Sequence, residues 1–179
     1  MRTLKQLVFF LTTISLVTFS SCSSDDSGSG AVASSGILTA KVDGVNYKSM
    51  EISSSATIAT AGPGENLVII ATNSDGNAFS MTIIGYTGEG TYEFTGANLA
   101  ITNVASYTET DVNLSNPTAS TTEIWQAPFD DTSVGSITIT EETDTKVIGT
   151  FSFQCKNVNG DNSEKSITDG AFNLKKQTT

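Results

Sequence analysis

The sequence predicts an all-β domain, either an antiparallel β-sandwich or a flattened meander β-barrel, and three observations carry that prediction. Apolar residues recur with a period of two almost everywhere from Ile37 to Leu174, the spacing that places alternate side chains on one face of a strand. No window carries the stripe of an amphipathic helix. Turn-forming clusters such as Asp43-Gly44, Gly62-Pro63-Gly64 and Asn73 to Asn77 punctuate the runs at short intervals, as hairpin connections do.

Ahead of that domain, Arg2 and Lys5 precede an apolar run from Leu7 to Phe19, followed by Ser20-Ser21-Cys22. The run is too short to span a bilayer, which takes about 20 apolar residues. It has the length of a secretory signal core, about 7 to 15 residues. Small residues leading into a cysteine resemble the processing site of a bacterial lipoprotein, with Phe19 standing where leucine is usual. Residues 1–21 therefore read as a lipoprotein signal peptide and Cys22 as the residue that carries the lipid. Two or more acyl chains give stable anchoring where one is marginal, so the membrane is the expected partner of the N-terminus. Residues 22–35 comprise that cysteine and a Ser/Gly-rich tether with little to bury, long enough to hold a domain on the order of 20 Å from the bilayer. Ser24-Asp25-Asp26 resembles the acidic export tag of surface-exposed lipoproteins of the Bacteroidota. That resemblance implies an outer-membrane protein facing outward at the cell surface. One domain then occupies residues 36–176, and residues 177–179 form a tail.

Within the domain each strand has its own signature. Ile37 to Val42 and Val45 to Lys48 flank Asp43-Gly44, the two residues of a type I′ turn, both of which need positive φ. Ala56 to Thr60, Asn66 to Thr72 and Ala78 to Ile84 follow as a three-stranded meander, and Val68 to Ala71, apolar on both parities, is expected at its centre. Thr91 to Phe94 puts Tyr92 and Phe94 on one face, while Leu99 to Thr102 and Val104 to Thr108 are weaker runs. Asp111 to Ser120 is the one long irregular stretch, expected to cross from one edge or sheet to another. Thr122 to Ala127 contains Trp125 and stops at Pro128-Phe129-Asp130-Asp131. Gly135 to Glu141 and Lys146 to Cys155 form a long hairpin of β-branched and aromatic residues, the composition strands prefer. In Lys165 to Leu174, Ile167 lies on one parity and Phe172 and Leu174 on the other. One extra residue at Asp169-Gly170, a β-bulge, restores the alignment, with glycine the expected occupant of any left-handed position.

Composition excludes most chemistry. Removing Arg2 and Lys5 from the 9 basic residues leaves 7 against 19 acidic ones, a mature net charge of −12, unsuited to nucleic acid. The chain has no histidine, and its one arginine is Arg2. Imidazole-activated nucleophiles, imidazole metal ligands and guanidinium clamps are therefore missing from the mature chain. No catalytic, cofactor-binding or metal residue is assigned, and no enzyme activity is expected. With Cys22 consumed by lipid, Cys155 lacks a partner, and its parity with Phe151 and Phe153 makes it a buried small hydrophobe. Asn157 to Glu164 has the oxygen side chains of a calcium loop without its alternation, and reads as a hairpin turn. Glu141-Glu142 would point to opposite faces of a strand and cannot act together as a glycosidase pair. Tyr107 and Trp125 are the aromatic candidates for stacking on a sugar, and both also suit a core. If the closing strand meets the first hairpin, a lipocalin-like cavity is conceivable. Phe79, Tyr92, Phe94, Trp125, Phe151, Phe153 and Phe172 are large enough to fill it.

Four segments, Ala40 to Tyr47, Trp125 to Phe129, Gly149 to Phe153 and Ser166 to Asn173, resemble an uncharacterised family of small Bacteroidota lipoproteins built on a domain of unknown function. The resemblance implies the lipoprotein address and the all-β fold, and supplies no activity. The expectation is a lipid-anchored, surface-exposed binding or adhesion module for a polysaccharide or protein. The alternative is a lipocalin-like small-molecule carrier or a structural envelope component.

Overall fold

The computed structural model describes residues 32–61, 64–98 and 102–178. The signal peptide, Cys22 and residues 23–31 of the tether lie outside the described residues, as do residues 99–101 of the expected run Leu99 to Thr102. Strands β1 (Ile37–Val42) and β2 (Val45–Lys48) form the first hairpin, with Asp43 at φ 50° and Gly44 at φ 81° in its turn. The meander comprises β3 (Ser54–Ala61), β4 (Gly64–Thr72) and β5 (Ala78–Tyr86). There follow β6 (Gly90–Thr95), β7 (Val104–Asp111), β8 (Thr121–Ala127), β9 (Ser133–Glu142), β10 (Lys146–Lys156) and β11 (Glu164–Thr178). Two single 3-10 turns, Glu51–Ser53 and Pro117–Ala119, are the helical content of the described residues.

All eleven strands belong to one sheet, ordered β2-β1-β11-β3-β4-β5-β7-β8-β10-β9-β6, with a further β11–β10 pairing. Two long strands fork. β11 carries β10 along one edge, while its other edge serves β1 as far as Asn173 and then β3, in parallel, from Lys176 to Thr178. β10 pairs with β9 from Val147 to Phe153 and meets β8 where Lys156 opposes Gln126. Hydrogen-bonded neighbours therefore run β11, β3, β4, β5, β7, β8, β10 and back to β11. The sheet closes on itself around one core, with β1-β2 and β9-β6 branching from the forks.

The inward parity of each strand fills that core. Phe79 is its centre, with ring centroids of Tyr47 at 4.8 Å, Tyr107 at 5.0 Å, Phe151 at 5.6 Å and Phe153 at 6.4 Å. Phe94 meets Phe153 at 5.4 Å, and Phe172 meets Phe151 at 6.3 Å. Burying side chains of this size contributes roughly 1.5–3 kcal/mol each. The space that a lipocalin-like carrier would leave open is occupied by these rings.

Several expectations are refined. β4 lies between β3 and β5, but only Leu67, Ile69 and Ala71 are buried, whereas Ile70 is 47% exposed on the outer face. Its continuous apolar run therefore reflects a greasy outer surface, not burial on both sides. The irregular stretch 112–120 does not cross the sheet: Asp111 opposes Thr121, so it closes a hairpin between neighbours β7 and β8. The last strand runs to Thr178, beyond the expected end at Leu174, because its final residues pair with β3. Its register slips against β1 between Thr168 and Ala171 and against β10 between Ile167 and Gly170, so the bulge that the parity error predicts centres on Asp169. Asp169 takes the left-handed conformation at φ 52°, and Gly170 has a different task. A Cβ on Gly170 would collide with the Phe151 carbonyl oxygen and ring, so glycine is there for close approach.

Candidate binding groove

The closed sheet has an outer face, and on β5, β7 and β8 that face is polar. Register sets Ser80 opposite Ser106 and Ser106 opposite Gln126. These three side chains stand in a row across adjacent strands, flanked on the core side by Phe79, Met81, Ala105, Tyr107, Trp125 and Ala127 at the alternate positions. None of the three forms a side-chain hydrogen bond with a described residue. Beyond β8 the chain turns at Pro128, after a cis peptide bond, and folds Phe129, Asp130 and Asp131 over one side of the row. The result is a groove of about 580 Å³, with the row as its floor and Val104, Phe129 and Val158 among its walls. Val104 is 44% and Val158 43% exposed, and Phe129 is half-buried.

The groove has a defined electrostatic character. Asp130 accepts from the Thr132 hydroxyl at 2.6 Å and from the Thr132 amide at 2.8 Å. Those bonds, the hydroxyl first, hold its carboxyl below the usual range. The nearby cation is Lys156, whose Nζ lies 5.8 Å from the Phe129 centroid and 3.3 Å from Glu164 Oε1. Its charge is already compensated.

The residues singled out by sequence for sugar stacking lie elsewhere. Trp125 and Tyr107 are both buried. Trp125 Nε1 donates to Ser163 Oγ at 2.9 Å, and Lys165 Nζ sits 4.3 Å from its ring centroid and 5.9 Å from that of Tyr107. Lys165 also pairs with Glu109 at 3.0 Å and Asp43 at 3.8 Å, its side chain 16% exposed. Together these contacts tie β11 to β7, β8 and the first turn, with a cation–π contact inside. Cys155, on the same parity as Phe151 and Phe153, is fully buried. Burial, with the Asp43 carboxylate adding to it, pushes the thiol up to about 12, so it stays protonated and unreactive at neutral pH.

At another point on the sheet, Glu142 accepts from Tyr86 Oη at 2.7 Å and from Lys176 Nζ at 2.6 Å. Burial alone would raise its carboxyl, but the ammonium and the phenol together outweigh it and hold the group below its ordinary value. Burial first, and then Glu142, raises the Tyr86 phenol far above its own. Glu141 faces away and pairs with Lys146 at 2.9 Å, so the two adjacent carboxylates are indeed separated. In the 157–164 segment, Asn157 O accepts from the Gly160 and Asn162 amides, and Asp161 Oδ1 from the Ser163 amide at 2.8 Å. Its oxygens thus serve the turn. Among the described residues, no three His, Cys, Asp or Glu side chains are grouped to hold a metal ion. Nor is any described helix long and apolar enough to cross a membrane.

Sequence reasoning missed Ser80, Ser106, Gln126 and Phe129 as a group. Their outward parity is readable strand by strand, but the register that aligns them comes from long-range pairing. The only local hint is Phe129, an aromatic residue inside a strand-breaking loop.

A closed sheet, antiparallel except where β11 meets β3, with a filled core and a polar outer groove defines a small all-β domain whose concave surface lies outside its core. A family model, domain of unknown function DUF6252, matches residues 34–174, and the chain belongs to that family. No curated protein and no solved structure matches it.

Proposed function

We propose that this chain is a lipid-anchored outer-membrane β-domain, exposed at the cell surface, that works by contact and not by catalysis. The observation that carries the reading is the outer groove, where three polar side chains make no side-chain hydrogen bond to a described residue and stand beside apolar walls, while the interior is packed with rings. A polar side chain on a folded surface that offers both donor and acceptor is available for a partner. The lipoprotein-type signal ending at Cys22 and the Ser/Gly tether support an anchored, displayed domain. The lack of histidine and of any arginine after Arg2 leaves the mature chain without imidazole-activated nucleophiles or guanidinium clamps. A carrier function would need interior space, and Phe79, Phe94, Phe151 and Phe153 fill it.

The test uses cells that display the full chain, beside cells displaying Ser80→Trp, which blocks the floor at an exposed position. Both are offered surfaces coated with polysaccharide or with extracellular protein. Wild-type cells should adhere to at least one coating and the variant should not, at equal display. Failure of wild-type cells to adhere to any coating contradicts the binding function. Protease shaving of the same cells checks the address: wild type should be cleaved, and Asp25→Ala with Asp26→Ala should be protected if Ser24-Asp25-Asp26 is the export tag.

A further inference from the structure

Resting on that reading, we propose that the groove formed by β5, β7, β8 and the 128–131 loop takes an uncharged oligosaccharide chain lying across the strands. The floor fixes the kind of contact. Ser80, Ser106 and Gln126 stand on neighbouring strands, so the row spans about 10 Å at the ordinary strand spacing. Each of the three both donates and accepts hydrogen bonds, and none is charged. A ligand whose own groups are hydroxyls, each able to do both, satisfies such a row in several rotations.

The walls and rim narrow the class. The Phe129 ring and the exposed Val158 side chain offer an apolar surface for the C–H face of a sugar ring. Asp130, held ionised by Thr132, and Asp131 stand at the rim, and the nearby ammonium of Lys156 is paired with Glu164. An anionic polymer would meet carboxylates with no cation among the described residues that line the groove, in a chain already of net negative charge. A peptide strand has a different difficulty. β5 and β7 are hydrogen-bonded on both edges at the row, and the outer edge of β8 is met there by β10, where Lys156 opposes Gln126, so the floor has no open edge at the row for a backbone to extend. Its amides would have to be served by three side chains alone.

The experiment uses the full chain purified in detergent, passed over immobilised neutral oligosaccharides (α-glucan, β-glucan, mannan, xylan and galactan) and over polygalacturonate. At least one neutral chain should be retained and polygalacturonate should not. Phe129→Ala and Gln126→Ala should each weaken that retention at least fivefold. Gln126 is exposed and makes no side-chain hydrogen bond to a described residue, so its loss leaves folding intact. Thr57→Ala, on the outer face of β3, should change nothing. Retention of no neutral oligosaccharide, or equal retention by Gln126→Ala and wild type, overturns this assignment. If cells then still adhere to protein coatings in a Ser80→Trp-sensitive manner, the ligand class falls while the binding function stands. If adhesion also fails, both fall.

Discussion

Asp169 and Gly170 divide the work of one bulge. Asp169 accepts the left-handed backbone, and its exposed carboxylate pairs with Lys41 at 2.9 Å, a contact worth little at a surface. Gly170 supplies the missing Cβ that lets Phe151 pack against the strand. Gly170→Ala should therefore lower stability by about 2 kcal/mol, as overpacking does, seen as a lower urea midpoint at unchanged slope. Asp169→Gly should stay within about 0.5 kcal/mol of wild type, since glycine adopts that φ freely. The reverse order of effects would show that the two roles are misassigned. Trp125→Phe removes the bond to Ser163 and weakens the Lys165 contact, and should cost about 1–2 kcal/mol. At this scale the sequence was informative about position and silent about cause. A parity slip locates the bulge, but which residue needs no side chain depends on Phe151, a strand away.

At the scale of elements, the strands were readable because each one alternates, and the turns because Asp-Gly and its like restrict φ. Pairing was not. The parallel contact of β11 with β3 joins Lys176 to Ala56, and the meeting of β10 with β8 rests on Lys156 and Gln126. Neither leaves a local trace, so the closure of the sheet and the alignment of Ser80, Ser106 and Gln126 were invisible. Tyr107 and Trp125 looked equally suited to core or surface, since parity tells which residues share a face and not which face is wet.

The same closure has an energetic signature at Glu142, which links β9 to Lys176 of β11 and Tyr86 of β5, with side-chain exposures of 21% for Glu142 and 16% for Lys176. Glu142→Gln should destabilise by about 2 kcal/mol at neutral pH, the range for hydrogen bonds to charged groups. The folded-state carboxyl titrates below its ordinary value of 4.5. Its contribution is thus complete above that pH and is lost as pH falls through the lower folded value. Denaturant titrations should show the wild-type advantage over Glu142→Gln shrinking below pH 4.5. A gap that stays constant into the acid range would mean that the ion pair does not carry it.

For the whole molecule, the same polar outer face and packed interior bear on how the chain is held and what it touches. Cys22→Ala should abolish fatty-acid labelling while leaving the far-ultraviolet circular dichroism of the domain unchanged. Mass spectrometry of the mature wild-type N-terminus should find an acylated Cys22, and any other mature N-terminus would contradict the anchor. Binding on the outer face, against carriage in the interior, is tested most directly by amide and methyl chemical-shift mapping of the full chain in detergent as a retained neutral oligosaccharide is added. Shifts confined to Ser80, Val104, Ser106, Gln126, Phe129 and their neighbours are the predicted result. Shifts centred on Phe79, Phe94, Phe151 and Phe153 would place the ligand inside the sheet and contradict it.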